Sequence, residues 1–383
     1  MVRLKAVVLA SLTATFGLAM SGVGSASVRA SDSPQVSASP AAASASSCVA
    51  AATQAVNAAR KPLVPLPIAP IDMKHNSGKS VWLISASQDE FTQTVGAGFV
   101  AAAKAAGMTG RYVEANGEPN EMIQLVQEAV TDKAAGIALL NIEPSGVSGP
   151  LLTARADHIP VVTVNDGDPG QVGTGVYATV TDAFTAQGRL TGDWILMNSS
   201  CHAHVATFSI PTLAVVVDMI NGVTSEIKRL CPAACSVTPS TFEYSTFATQ
   251  LGPLAETVIR RDPSINYIDP AADAFAGVIS PVLQQAGFTK VVLTGHDGSA
   301  SNLKAMASHA TLQGMTVANP PEGYTGWLIV NQLARGILGQ PAVDVGMAGR
   351  IIDSTNIGNG STAAIYPGFG GFESSFLKAW GEQ

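Results

Sequence analysis

The sequence has few charged residues and few aromatic ones. Of its 383 residues, 13% are charged and 6% are aromatic, whereas 46% belong to the hydrophobic set. A disordered chain needs high charge and low hydrophobicity, so this composition predicts a folded globular protein. The chain also lacks a block of Lys and Arg, and its formal net charge is −7. Because nucleic-acid binding needs a basic surface for phosphate contacts, we predict no nucleic-acid partner.

Long apolar runs are missing everywhere except near the start of the chain. There, Arg3 and Lys5 precede an apolar stretch that ends in small residues. This is the pattern of a secretory signal peptide over residues 1–26, with cleavage after Ala26 or Ala30. A transmembrane anchor is the alternative, since the stretch is nearly long enough to span a bilayer. We favour cleavage, and therefore predict an exported protein in the periplasm, the cell envelope or the extracellular space.

Apolar residues are also scarce after the signal peptide. Residues 27–47 are mostly Ser, Ala and Pro, a composition that cannot bury a core. We predict that residues 27–76 form a tether with a short Ala-rich helix from Val49 to Arg60. Lipid attachment at Cys48 is an alternative, although a lipid-modified cysteine would directly follow the apolar run.

The sequence contains only four cysteines. In an exported protein they most simply form disulfides, for which three pairings are possible. A metal site that also uses His202 and His204 is the alternative, but no second spaced pair of ligands supports it. We therefore predict disulfides, no metal and no cofactor. The cysteines are Cys48, Cys201, Cys231 and Cys235.

From Lys79 onward, short apolar runs alternate with helix-forming stretches. The first run is Ser80-Val-Trp-Leu-Ile-Ser, and the first helical stretch extends from Thr94 to Ala106. The same alternation restarts at Val205-Ala-Thr-Phe. Strands separated by helices imply right-handed crossovers and parallel, doubly wound sheets. The pattern therefore predicts two α/β units.

Ligands of open parallel sheets bind at the carboxyl ends of the strands. The loops that follow the predicted strands carry neutral and acidic hydrogen-bonding side chains, a set that suits a polar, uncharged ligand with hydroxyl or amide groups. The loops are Ser85-Ala-Ser-Gln-Asp-Glu-Phe, Asn141-Ile-Glu-Pro-Ser-Gly, Asn165-Asp-Gly-Asp168, Ser209-Ile-Pro-Thr, Asp269-Pro-Ala-Ala-Asp273 and Gly295-His-Asp-Gly.

The order of these strands and loops resembles the type 1 periplasmic, solute-binding proteins of ABC importers, of the ribose-binding kind. The resemblance covers roughly Lys79 to Trp380. It is carried by the strand-one loop with Phe91, Ile159-Pro-Val-Val-Thr-Val-Asn-Asp, Asp182 followed by Gly188-Arg-Leu-Thr-Gly-Asp-Trp, and Gly295-His-Asp-Gly. It implies two doubly wound parallel-sheet lobes joined by a three-crossing hinge.

The resemblance also implies where the lobes divide. The first lobe would comprise residues 77–182 plus 320–340, and the second lobe residues 183–319 plus 341–383. The hinge crossings would lie near Asp182, Asn319 and Pro341.

Carried over position by position, the resemblance implies ligand-binding residues between the lobes. Phe91 would stack on the ligand, and the other residues would bond its polar groups. Two arginines of ribose binders are missing, because Asp166 stands at the position of one and Val217 and Met219 occupy the neighbourhood of the other. This points away from ribose and toward another sugar, a polyol or an apolar molecule. The implied residues are Asp89, Phe91, Asn165, Asp166, Asp273, Asp297 and Asn319, and the strand-end loops add Gln88 and Asn141 to the predicted site.

Catalytic motifs are absent from the sequence, which has no GxSxG, no HExxH and no P-loop. The pair Asp166 and Asp168 could serve acid/base chemistry, but capping explains it as well. We predict a monomeric binding protein, not an enzyme, that delivers a sugar-like ligand to an ABC permease. The alternatives are an exported hydrolase on the same fold class and a sensor that presents its ligand to a membrane receptor.

Overall fold

A computed structural model describes residues 40–88, 90–170, 173–358 and 369–381. The helices are α1 Pro40–Ala59, α2 Glu90–Ala105, α3 Pro119–Thr131, α4 Ser148–Ala156, α5 Phe184–Asn198, α6 Ala214–Leu230, α7 Phe247–Arg261, α8 Asp273–Gln285, α9 Ala300–Ala307, α10 Glu322–Ile337 and α11 Glu373–Trp380. The strands are β1 Ser80–Ser85, β2 Thr109–Glu114, β3 Gly136–Leu140, β4 Val161–Val164, β5 Ala178–Asp182, β6 His204–Ser209, β7 Ser236–Thr241, β8 Tyr267–Asp269, β9 Val292–Leu293, β10 His296–Asp297, β11 Met315–Ala318, β12 Val345–Met347 and β13 Arg350–Asp353.

The first lobe is built on a six-stranded parallel sheet in the order β12-β5-β4-β3-β1-β2. Side chains of a strand alternate between its two faces. On β1, Val81 and Leu83 therefore join the core that contains α2 and α10. Trp82 and Ile84 join the opposite core, which contains α3 and α4. With helices on both faces, the sheet is doubly wound, which confirms the predicted fold class.

The second lobe has a parallel sheet in the order β7-β6-β8-β9, followed by β10-β11-β13. A parallel bridge between Leu293 and Gln313 joins these two groups of strands. Strand β13 runs antiparallel to β11, so the lobe is not entirely parallel. Its helices also cover both faces of the sheet.

Between β1 and β13 the chain passes between the lobes at three places. After Asp182 it enters α5, which packs against α6, and after β11 it enters α10, which packs against α2. The third passage lies between Met347 and Arg350, not near Pro341 as we predicted. The reason is that the buried Val345 and Met347 extend the first sheet beside β5 before the chain leaves it.

The last part of the chain also differs from the prediction that residues 341–383 all lie in the second lobe. Strand β13 joins the second sheet, but β12 belongs to the first, and α11 packs in the first core. Aromatic packing explains the position of α11. The rings of Trp380 and Trp327 stack with centroids 5.3 Å apart, and Phe376 contacts Tyr324 at 5.6 Å.

Residues 40–59 form a packed helix, which corrects the predicted tether. The predicted helix over Val49–Arg60 began too late, because Ala has the highest helix propensity and the Ala-rich segment before it is helical as well. Ala52 and Val56 are fully buried in the second-lobe core. Residues 1–39, with the predicted signal peptide, lie outside the described residues. Within the described ranges, no helix is long and apolar enough to cross a membrane.

The cysteines form two disulfides, Cys48–Cys201 and Cys231–Cys235, as the composition predicts. The first joins α1 to the end of α5 across 153 residues of sequence, and closing so long a loop stabilises a fold by about 5 kcal/mol in the chain-entropy account. Since the Cys48 sulfur is bonded to Cys201, it is not available for lipid attachment. Among the described residues, no cluster of His, Cys, Asp and Glu side chains could hold a metal ion.

Helices α5 and α6 approach each other through glycines. A Cβ added at Gly222 would lie 2.3 Å from the carbonyl oxygen of Thr185 and 2.9 Å from the Cα of Gly188. Both neighbours are backbone atoms, which cannot rotate away. In contrast, a Cβ added at Gly149 in α4 would meet no atom within 4 Å.

We therefore expect Gly222→Ala to lower the free energy of unfolding by about 1–3 kcal/mol through overpacking. Gly149→Ala is the matched control, since it also lies in a helix and should leave stability unchanged or raise it slightly. Denaturant unfolding of both variants checks this. Equal stability of the two variants would contradict the close helix contact.

Candidate ligand-binding site

The carboxyl ends of the strands in the two sheets lie next to each other. Within the first sheet, β1, β3 and β4 are neighbours, so the loops that follow them are adjacent. The loop after β4 also contacts the second lobe. There, the backbone N–H of Asp168 donates to Asp218 Oδ2 at 3.0 Å, and the backbone N–H of Thr185 donates to Asp168 Oδ1 at 2.9 Å. Asp168 therefore caps the start of α5. The sequence alone had left open whether Asp168 acts as a helix cap or in acid/base chemistry.

Two predicted residues of the first lobe are paired directly. The side-chain amide of Asn165 donates to Asn141 Oδ1 at 2.8 Å. Both residues have a left-handed backbone, with φ of 56° each. Asn tolerates this conformation better than most residues because its side chain can hydrogen-bond locally. The pair is partly exposed and lies at the ends of β3 and β4.

Asp166, next to this pair, contacts a carboxylate that the sequence prediction missed. Burial, the charge of Glu143 and a hydrogen bond with Glu143 together raise the pKa of Asp166 to about 7. Asp166 therefore holds a proton near neutral pH and donates it to Glu143 in this hydrogen bond. A signal for Glu143 was present in the sequence, because it lies two residues after Asn141 in the same strand-end loop.

Asp297 is an acidic side chain of the second lobe that solvent can reach. It ends β10 with φ of 98°, a conformation that is strained for a residue with a Cβ, and such strain is concentrated at functional sites. Although the side chain is exposed, it lies deep among protein atoms, as a group at the bottom of a cleft does. This burial raises the pKa of Asp297 to about 8, and the carboxylates of Asp273 and Asp182 contribute.

Asp273 is buried and its hydrogen bonds indicate a structural role, whereas its direct contact with a ligand stays a prediction. Its side chain is completely buried. One carboxylate oxygen accepts from the backbone N–H of Ser299 at 2.8 Å, and the other accepts from the Gln313 amide at 2.6 Å. Asn302 completes this network by donating to Gln313 Oε1 at 2.7 Å. Asp273 therefore fixes the loop that presents Asp297.

Asn319 and His296 are neighbours of Asp297, and they differ in the hydrogen bonding of their side chains. The backbone N–H of Asn319 donates to the Asp297 carbonyl at 3.3 Å, and Asn319 Oδ1 is buried without a hydrogen-bond partner among the described residues. His296 is buried with its Nε2 3.1 Å from Thr191 Oγ1. Burial lowers the pKa of His296 to about 3, so the ring is neutral and serves as a structural residue.

The remaining predicted residues belong to the loop after β1. Gln88 is exposed, and Phe91 is half-buried against the first-lobe core. Asp89 lies outside the described residues. Because β1 pairs with β3, this loop is adjacent to Asn141.

Aromatic side chains at the end of β7 were not anticipated from the sequence. Tyr244 is 57% exposed. Its ring lies 5.6 Å from that of Phe247, which in turn lies 5.1 Å from Phe275. Aromatic faces of this kind pack on the apolar faces of ligands. The signal was the cluster Phe242-Glu-Tyr-Ser-Thr-Phe247 directly after a strand in a chain that is poor in aromatics.

Comparison with known proteins shows the family to which the chain belongs. The model of the periplasmic binding protein domain matches residues 81–340, more than half of the chain. The chain therefore belongs to the periplasmic binding protein family, whose members bind solutes. No curated protein sequence matches the chain.

Solved structures show the same fold. A glucose-galactose binding protein from Geobacillus stearothermophilus is 18% identical, with a TM-score of 0.65 over 74% of this chain and 99% of that chain. A solute-binding protein from Mycobacterium smegmatis with bound glycerol is 21% identical, with a TM-score of 0.64 over 73% and 96%. One from Agrobacterium vitis with bound allitol is 18% identical, with a TM-score of 0.64 over 73% and 97%.

If Asp273 supports the loop, Asp273→Ala should lower the free energy of unfolding by about 2–4 kcal/mol, because it leaves two buried donors without an acceptor. Asp157→Ala, at an exposed helix end, should change it by less than about 0.5 kcal/mol. Denaturant unfolding measures both. If Asp273→Ala is as stable as the unmodified protein, Asp273 does not support the loop and is again a candidate for direct contact with the ligand.

The raised pKa of Asp166 predicts a pH dependence of stability. Between its ordinary value of 3.8 and about 7, the folded protein holds a proton that the unfolded chain has released. The free energy of unfolding therefore falls as the pH rises through this window. We expect Asp166→Asn to gain stability relative to the unmodified protein over the same window, as measured by denaturant unfolding at several pH values.

Glu143→Gln is the matched variant for this prediction. It removes the neighbouring carboxylate, so its profile should lie between those of the unmodified protein and Asp166→Asn. A stability difference that does not change with pH would contradict the raised pKa of Asp166.

Proposed function

We propose that this chain is an exported solute-binding protein of an ABC importer, which captures a small polyhydroxylated ligand between its lobes by hinge closure. The observation that carries the proposal is the placement of polar groups at the adjoining carboxyl edges of both sheets. In the first lobe these are Gln88, Asn141, Asn165 and Asp166, and in the second lobe Asp297 and Asn319. A ligand that bonds to both groups favours the closed form, which a permease recognises.

Aromatic rings supply the apolar side of this proposed site. Phe91 belongs to the first lobe, and Tyr244 and Phe247 belong to the second. Sugars and polyols have polar edges and apolar C–H faces, so rings on both lobes together with amides and carboxylates suit them. The ligands named for the glucose-galactose, glycerol and allitol binding proteins have this chemistry.

The charge of the loops further restricts the class of ligand that the site would bind. The loops at the carboxyl edges contain Glu143, Asp166, Asp168, Glu243 and Asp297, but neither Lys nor Arg. Those acids that are ionised repel anions, and these loops supply no Lys or Arg to pair with an anion. We therefore propose a neutral or cationic ligand and not a sugar acid or a sugar phosphate.

We expect neutral sugars or polyols to raise the melting temperature of the protein by mass action, because they bind only the folded state. The panel consists of D-glucose, D-galactose, L-arabinose, glycerol and allitol, with glucuronate and glucose 6-phosphate as anionic counterparts. Neither anion should shift the melting temperature. A response to anions alone would contradict the charge argument.

With a ligand from that panel, Asp297→Asn should weaken binding about three- to tenfold, since a hydrogen bond between the Asp297 carboxyl group and the ligand is lost. Asn is used because it tolerates the left-handed backbone of this position better than Ala does. Calorimetric titration measures the affinity, and Asp157→Asn at an exposed helix end is the control. Unchanged affinity would remove Asp297 from the site, and turnover of the ligand would favour the hydrolase instead.

A further inference from the structure

The segment before β1 is anchored to the second lobe. Helix α1 packs against α5, and its Cys48, Ala52 and Val56 are buried in the second-lobe core with exposures of 3%, 0% and 0%. The disulfide from Cys48 to Cys201 makes this attachment covalent.

Arg60 fastens the end of α1 to the same lobe. Its guanidinium donates to Asp353 Oδ2 on β13 through Nε at 3.2 Å and Nη2 at 2.5 Å. The indole of Trp194 donates to the same oxygen at 2.8 Å. In return, Arg350 Nε donates to the Arg60 carbonyl at 2.9 Å. Asp353 is 2% exposed, so this ion pair is shielded from water.

A few residues later the same segment is anchored to the first lobe. The backbone N–H of Leu66 donates to the Tyr324 hydroxyl at 2.8 Å. The backbone N–H of Ile71 donates to the carbonyl of Ala379 in α11 at 2.8 Å. Ile71 and Met73 are then buried in the first-lobe core.

The connector between these anchors is short and stiff. From Arg60 to Leu66 there are six residue steps, which cannot span more than about 20 Å even when fully extended. Pro62 and Pro65 lie in this stretch and hold it extended. The two lobes therefore cannot move apart at this edge by more than the connector allows.

We propose that residues 48–73 form a strap, a further connection between the lobes outside the hinge, which limits how far the cleft opens and which the Cys48–Cys201 disulfide holds in place. The proposal rests on the hinge motion of the proposed function. It adds that the N-terminal segment sets the width of the open form. Cleavage or slackening of the strap should then widen the open form without changing either sheet.

The test compares ligand-free proteins by small-angle X-ray scattering. The variant Cys48→Ser/Cys201→Ser releases the covalent anchor, and Cys231→Ser/Cys235→Ser is the matched control. The control disulfide lies within one lobe, with Cys231 Sγ 3.2 Å from the Cys201 carbonyl. We expect the first variant to increase the radius of gyration by about 1 Å, on roughly 20 Å for a chain of this length. The control should leave it unchanged.

A second variant keeps both disulfides and inserts six Gly and Ser residues after Leu63. It should expand the ligand-free protein by a similar amount, because only the connector has been lengthened. The same insertion after Gly287, in an exposed turn of the second lobe, is its control. Circular dichroism melting establishes that each variant is folded.

Unchanged scattering of the lengthened variant would overturn the strap, even if the cysteine variant expands. These measurements use no ligand, so they do not depend on which solute binds. If no sugar or polyol of the panel raises the melting temperature but the lengthened variant expands, the strap is supported and the proposed ligand class is wrong. If a sugar binds but the lengthened variant does not expand, the receptor stands and the strap fails.

Discussion

The buried carboxylate of Asp273 determines the geometry of the second-lobe half of the cleft. Its oxygens accept from Ser299 and Gln313, and each of these bonds fixes one side of the loop that carries Asp297. Gly295 is part of the same constraint, because a Cβ there would lie 2.2 Å from Asp273 Oδ1. A buried polar network is rigid when its members are satisfied. This explains how a strained backbone persists at the exposed residue Asp297.

Charge is distributed unequally along the strands of the first sheet. Lys79 and Lys133 lie before β1 and β3, at the amino edge, whereas Glu143 and Asp166 lie after β3 and β4, at the carboxyl edge. Because burial and the neighbouring Glu143 raise its pKa to about 7, Asp166 retains a proton near neutral pH. The cleft thus keeps hydrogen-bond donors and acceptors on the same few side chains, which suits hydroxyl groups, since they act as both.

The periodicity of apolar residues was sufficient to predict both doubly wound sheets, since buried parallel strands are uniformly apolar. It failed for α1, because a segment of Ala and Ser carries little hydrophobic signal and is ordered by a partner helix and a disulfide. It also failed for the third passage between the lobes, since β12 is too short to be recognised. For the site, the predicted strand ends were sufficient to identify the loops that carry Asn141, Asn165 and Asp297. They could not show that the Asp273 side chain points inward, because that depends on Gln313, forty residues away.

The order of the cysteines has a consequence for biosynthesis. Cys48 is bonded to the next cysteine in the chain, Cys201, and Cys231 is bonded to the next one, Cys235. In an oxidising compartment, an oxidase that joins cysteines in the order in which they emerge produces this pairing without rearrangement. Helix α1 nevertheless cannot form the Cys48–Cys201 bond until α5 and Cys201 have reached the same compartment. The covalent attachment of the first-made helix is therefore delayed by the 153 residues of chain that separate its two cysteines.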